Sequence, residues 1–100
     1  MRRIRIGKDI IFNWQVTTNG ESRDLGDRDL TLVMHMPNGR DRRIPFITDR
    51  DVVNFRFDGV EQEHLGIYSL TLWENYGKKG QTCVDLPNAF ELVEYSWMEN

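Results

Sequence analysis

One hundred residues and 11.9 kDa, 39% hydrophobic and 29% charged, describe one ordinary globular domain and exclude a disordered, fibrous or two-core chain. A formal charge of −3 argues against general nucleic-acid binding, which draws its affinity from a strongly basic face, and no apolar run approaches the roughly 20 residues of a membrane-spanning helix. Cys83 is the only cysteine, so the fold needs no disulfide and no oxidising compartment.

The chain opens on Met1-Arg2-Arg3-Ile4-Arg5-Ile6, a basic start that alternates at once instead of running into an apolar segment. It reads as a strand from Arg3 to Ile6 of a protein made inside the cell, not as a signal peptide. "DIIFNWQVT" then places Ile10, Phe12, Trp14 and Val16 on one face and Ile11, Asn13, Gln15 and Thr17 on the other, a period of two. "DLTLVMHM" sends Leu30, Leu32, Met34 and Met36 inward against Thr31, Val33 and His35. A weaker strand spans Arg43 to Ile47, where Pro45 suits an edge because it cannot donate to an interior ladder. "VVNFRF" turns Val53, Phe55 and Phe57 inward, and "IYSLTLW" does the same with Tyr68, Leu70 and Leu72, leaving Ser69, Thr71 and Trp73 outside. Thr82 to Tyr95 completes the set, with Pro87 and Asn88 expected to break it in two. Asn19-Gly20, Pro37-Asn38-Gly39, Asp58-Gly59 and Gly77-Lys78-Lys79-Gly80 supply the turns between.

About seven short alternating strands joined by tight turns predict an all-β, immunoglobulin-like antiparallel β-sandwich over residues 1–95, with a closed small barrel as competitor and residues 96–100 as a C-terminal tail. "HLGIYSL" favours the sandwich. A tyrosine near the start of strand F, shortly after a glycine, can bond backbone upstream and fix the corner between sheets; Gly66 and Tyr68 are the residues for that corner. Leu70 then stands where a disulfide cysteine would be, so packing has to hold the sheets together.

Recognisable chemistry is sparse. His35 and His64 belong to no nucleophile or metal motif, and Asp24, Asp27 and Asp29 lack the glycine and terminal glutamate of a calcium loop, so they read as turn formers. Gly77 and Gly80 flank two lysines without phosphate-loop spacing, which leaves a hairpin loop. Cys83, with no basic neighbour, reads as a packed small hydrophobe. Arg2, Arg3 and Arg5 with Arg40, Arg42 and Arg43 form a basic patch or serve as charged guards of sheet edges. Trp73, outward beside Asn75 and Tyr76, offers a flat ring near an amide that could dock a sugar. Trp97 and Met98, in the tail, have no place in the alternation and are candidates to pack on a second copy. With Trp73, Tyr76 and Tyr95 they mark an outer face and edge of the residue types enriched at interface cores. No catalytic residue, cofactor or metal is expected.

"RIRIGKDIIFNW", "NGESRDLGDRDLTLVM", "PNGR" and "FRFDGVEQEHLGIYSLTLWENYGKKG" resemble small immunoglobulin-like domains encoded by phages and prophages of gut bacteria, which are similar in turn to the N-terminal domain of upper baseplate proteins of phage tails. The likeness runs from Arg3 to about Val93, carried by Gly7-Lys8-Asp9, Asn19-Gly20, Asp24-Leu25 and Leu65-Gly66-x-Tyr68-x-Leu70-Thr71-Leu72 in that order. The resemblance implies a non-enzymatic structural or adaptor module, present in the bacterial cytoplasm and then in a virion or tail-like particle. Its partners would be other phage structural proteins or copies of itself. A carbohydrate-binding module is the alternative, and neither nucleic acid nor membrane is an expected partner.

Overall fold

The computed structural model describes residues 1–100 throughout. Its strands are β1 (Arg2–Arg5), β2 (Ile10–Gln15), β3 (Thr17–Thr18), β4 (Glu21–Ser22), β5 (Leu30–His35), β6 (Asp41–Ile44), β7 (Ile47–Asp49), β8 (Val52–Phe57), β9 (Gly66–Glu74) and β10 (Thr82–Val93), with single 3₁₀ turns at Gly59–Glu61 and Ser96–Met98. A five-stranded sheet has the order β1-β10-β9-β5-β6, a three-stranded sheet the order β2-β8-β7, and β3 with β4 makes a separate hairpin. Every pairing is antiparallel except β1 on β10.

The all-β expectation holds, with ten strands where about seven were expected. Part of the difference lies at Pro45. The expected strand from Arg43 to Ile47 ends before the proline, which has no N–H to donate, and resumes after Phe46 in the other sheet. Pro87 and Asn88 have the opposite outcome: β10 runs on, absorbing them as a bulge in which the register on β9 slips between Leu86 and Phe90 and Asn88 takes φ 53°.

Period-two patterning puts the apolar set of each sheet into one shared core. Ile10, Trp14, Val53, Phe55 and Phe57 come from the small sheet, and Leu32, Met34, Tyr68, Leu70, Leu72, Phe90 and Leu92 from the large one. Aromatic rings bridge the two layers: Phe12 meets Phe90 at 5.6 Å between centroids, and Phe57 meets Tyr68 edge-on at 5.8 Å. Leu70 is fully buried in this core.

Three residues depart from their expected burial. Val33 and Thr71 face outward yet are buried, because the outer face of a central strand pair is roofed by long neighbours: Val33 shares a hollow with Trp73, Arg42 and Arg43. Cys83 is exposed rather than packed, since its place opposite Trp73 puts it on the outer face near the start of β10.

The corner before β9 is pinned by side chains. Tyr68 Oη donates to the His64 carbonyl at 2.6 Å, and Gly66 adopts φ +124° with Pro37 packed where a side chain would project. Gln62 Nε2 donates to the Lys8 and Phe57 carbonyls at 2.7 and 3.2 Å, while its Oε1 accepts from Gly7 N–H at 2.7 Å. The turn between β1 and β2 is thereby fastened to the end of β8. Gly59 completes the joint, lying so close to Gly7 that an added Cβ would sit 1.9 Å from the Gly7 carbonyl oxygen.

Candidate functional site

The outer face of the large sheet carries a line of polar side chains running across four strands. Asp41 on β6 lies 2.7 Å from His35 Nδ1 on β5, His35 Nε2 lies 2.7 Å from Thr71 Oγ1 on β9, and Thr71 donates to Asp85 on β10 at 2.6 Å. His35 is thus no isolated surface histidine. The residue types suggest an acid, base and nucleophile, but Thr71 is only 4% exposed and its one hydroxyl proton goes to Asp85, not to the imidazole. What the arrangement does is stitch four strands together laterally.

Beside this line lies a shallow hollow of about 230 Å³, bordered by His35, Asp41, Arg42, Arg43, Trp73 and Tyr76. Trp73 and Tyr76 meet at 5.1 Å, and the Arg43 guanidinium sits over the Tyr76 ring at 5.0 Å. Arg42 turns to Glu61 at 2.7 Å. Asn75 does not face the rings as a free amide. It takes φ 55° at the hairpin, and its Nδ2 donates to the Gly80 carbonyl at 3.3 Å.

A second surface is built by the C-terminus. Tyr95 and Trp97 stack at 5.7 Å and 11°, and Trp97 is 80% exposed, with Met98 beside it. Residues 96–100 fold back along β1. After the turn at Ser96–Met98, Glu99 Oε1 accepts from Arg5 N–H at 2.9 Å and pairs with Lys8 Nζ at 2.9 Å, Asn100 Oδ1 accepts from Arg3 N–H at 2.7 Å, and Asn100 Nδ2 donates to the Met1 carbonyl at 3.0 Å. Side chains here satisfy the β1 edge as a neighbouring strand would. The Lys8 bond, followed by the Arg5 amide, holds the Glu99 carboxyl below its ordinary value.

The structure therefore divides the expected partner surface. Trp73, Asn75 and Tyr76 lie where β9 ends and β10 begins, whereas Tyr95, Trp97 and Met98 follow the far end of β10, beside the start of β9. Along β9 that separation is roughly 24 Å. The arginines divide too: Arg2, Arg3 and Arg5 lie on β1 and Arg42 and Arg43 on β6, at opposite edges of the large sheet, so they form no single patch. Asp24 acts as a turn former, its Oδ1 accepting from Gly26 N–H at 2.9 Å.

Two features escape a strand-by-strand reading. The outer face of the small sheet bears an open apolar groove of about 440 Å³ at Ile11, Phe46 and Ile47, with Ile11 64% and Ile47 71% exposed. The outward parity of Ile11 was the available signal. At the Trp73 end of the large sheet a cleft of about 280 Å³ brings Arg23 and Arg28 together around Glu74, with Arg28 Nη1 at 2.9 and 3.3 Å from its two oxygens. Comparison with protein-family models, curated protein sequences and solved structures finds no match to this chain.

Proposed function

We propose that this chain is an immunoglobulin-like β-sandwich serving as a non-enzymatic assembly or adaptor module of a phage or prophage tail or baseplate. The strand order supports the fold: taking β2, β5, β8, β9 and β10 as strands B, C, E, F and G puts B with E in one sheet and C, F and G in the other, the partition of that architecture. The Tyr68 bond to the His64 carbonyl supports it at the corner. The phage and particle context, with synthesis in the bacterial cytoplasm before assembly, rests on the sequence resemblance.

One observation carries the binding role. Trp97 is largely in water, stacked on Tyr95 and held on a turn that Glu99 and Asn100 tie to β1, so the aromatic pair is ordered before any partner arrives. Preordered exposed aromatics bind at low entropic cost and recur as interface anchors. The test is to capture tail or baseplate proteins from purified particles of the source phage with the tagged chain and with Trp97→Ala. Capture that falls at least tenfold in the variant supports the role, and equal capture or none refutes it.

The hollow beside Trp73 and Tyr76 favours a carbohydrate-binding module as second reading. It ranks lower because Arg43 already covers the Tyr76 ring and the Asn75 amide is committed to the hairpin. Tryptophan fluorescence that stays constant across a glycan panel would eliminate it.

A further inference from the structure

The two larger sheets end in four edge strands, β1, β6, β2 and β7. Unpaired edges invite pairing with another chain unless they are capped, charged, short or broken by proline. β1 carries three arginines and is capped by Glu99 and Asn100. β6 holds Asp41, Arg42 and Arg43 in four residues and stops at Pro45, and β7 has only three residues, ending on Asp49. β2 has none of these guards. It is six residues long, and from Ile10 through Val16 the sequence Ile-Ile-Phe-Asn-Trp-Gln-Val contains neither charge nor proline. Its only strand partner is β8, and no hydrogen bond from a loop or a side chain reaches its backbone on the other side.

The side chains along this edge are also incompletely covered. Phe12 points into the core but is only half-buried, while Trp14, two residues on, is 7% exposed, and Ile11 stands in solvent on the outer face. The stretch is self-complementary. An antiparallel pairing of β2 with its own copy, centred on Asn13, sets Phe12 against the partner's Trp14 and Ile10 against the partner's Val16 on the core side, and Ile11 against the partner's Gln15 outside. Such a pairing has two-fold symmetry, so one contact is made twice. Aromatic and β-branched cross-strand pairs are the stabilising unit of a sheet.

We propose that β2 is a homodimerisation edge, pairing with β2 of a second copy about a two-fold axis at Asn13 to join two three-stranded sheets into one of six. This deepens the assembly reading, on which it rests, by naming a second copy as a partner and β2 as the place of contact. It leaves the Tyr95–Trp97 surface free for other proteins.

Sedimentation of the full chain over a concentration series tests it. The expected mass rises to twice the 11.9 kDa of the chain, and Asn13→Lys, which sets like charges face to face on the axis at an exposed position, returns it to that of one chain. The second variant is Asn13→Cys with Cys83→Ser. Directly opposed residues of an antiparallel pair have Cα atoms about 4.5–5.5 Å apart, inside disulfide range, so mild oxidation should link two chains through position 13. A wild-type chain that stays monomeric, a dimer that survives Asn13→Lys, or one that gives no link through position 13 overturns the proposal. Capture through Trp97 is read on different partners, so the two readings fail separately.

Discussion

Replacing Tyr68 with phenylalanine removes one hydroxyl and nothing else. The ring stacks on Phe90 at 4.9 Å and 10° and meets Phe57 at 5.8 Å, contacts that phenylalanine keeps. The residue is 1% exposed, and its hydroxyl donates to the His64 carbonyl at 2.6 Å. His64 is half-exposed, so water can take over the orphaned carbonyl, and the cost stays near the net value of a single bond, about 1 kcal/mol, below the roughly 3 kcal/mol of a fully buried orphan. For a chain of this size that corresponds to a fall in Tm of about 4–8 °C, or a loss of roughly 0.5–1 M in the urea midpoint at unchanged slope. A second readout belongs to the hydroxyl alone. Burial, its largest cause, raises the Tyr68 pKa above 10.0 in the folded protein. The unfolded chain thus loses this proton first, and the stabilisation, complete below about pH 10, declines as pH rises towards the folded value. Subtracting the Tyr68→Phe stability curve from that of the wild type should leave a difference that shrinks above about pH 10. An unchanged urea midpoint would refute the corner assignment, and a pH-independent difference would refute the account of the hydroxyl.

Gly59→Ala should be far more damaging, at about 3 kcal/mol or beyond, because the new Cβ would lie 1.9 Å from a backbone oxygen that cannot rotate away; a near-wild-type urea midpoint would contradict the Gly7 contact. Thr71→Val keeps the shape but cuts the polar line between His35 and Asp85, and should lower the urea midpoint by the equivalent of about 1–2 kcal/mol. Acid should release the C-terminal turn before the core. The Glu99 carboxyl is depressed below 4.5, so its stabilisation is complete above that value and is lost as pH falls through the folded one. Hydrogen-exchange protection of the Arg3 and Arg5 amides should drop before that of β9, and equal protection at about pH 6 and about pH 3 would speak against the cap.

Much of the core was legible because β2, β5, β8 and β9 each repeat one apolar face at period two, and a strand buried on one side has little freedom in register. The faces were harder to read than the parities. Val33 points outward as its position dictates, yet its burial depends on Trp73, Arg42 and Arg43 arriving from β9 and β6, which no local window contains. The parallel pairing of β1 with β10 joins segments almost a whole chain apart, and local periodicity carries no information about it. Hidden for the same reason was the role of Glu99 and Asn100, which act through side chains on a distant backbone. For the partner surface, residue type was readable and position was not: tryptophans, tyrosines and methionine stood out, but strand direction decides that they occupy opposite ends of the large sheet.

The β1–β10 pair also determines how the domain bears a pull. Because β1 and β10 run parallel, tension applied at the two ends of the chain drags one strand backward and the other forward along their common axis. The ladder from Arg2 against Phe90 to Arg5 against Val93 is then strained as a block, with all its bonds sharing the load, whereas a hairpin pulled from its open end yields one bond at a time. The turn at Ser96–Met98 and its links to Arg3 and Arg5 would slip first, lengthening the molecule slightly before the ladder takes up the strain. Resistance to force depends on the unfolding barrier, not on equilibrium stability. Stretched by its ends, this small domain should yield in two stages, a weak early release and a stiff later one.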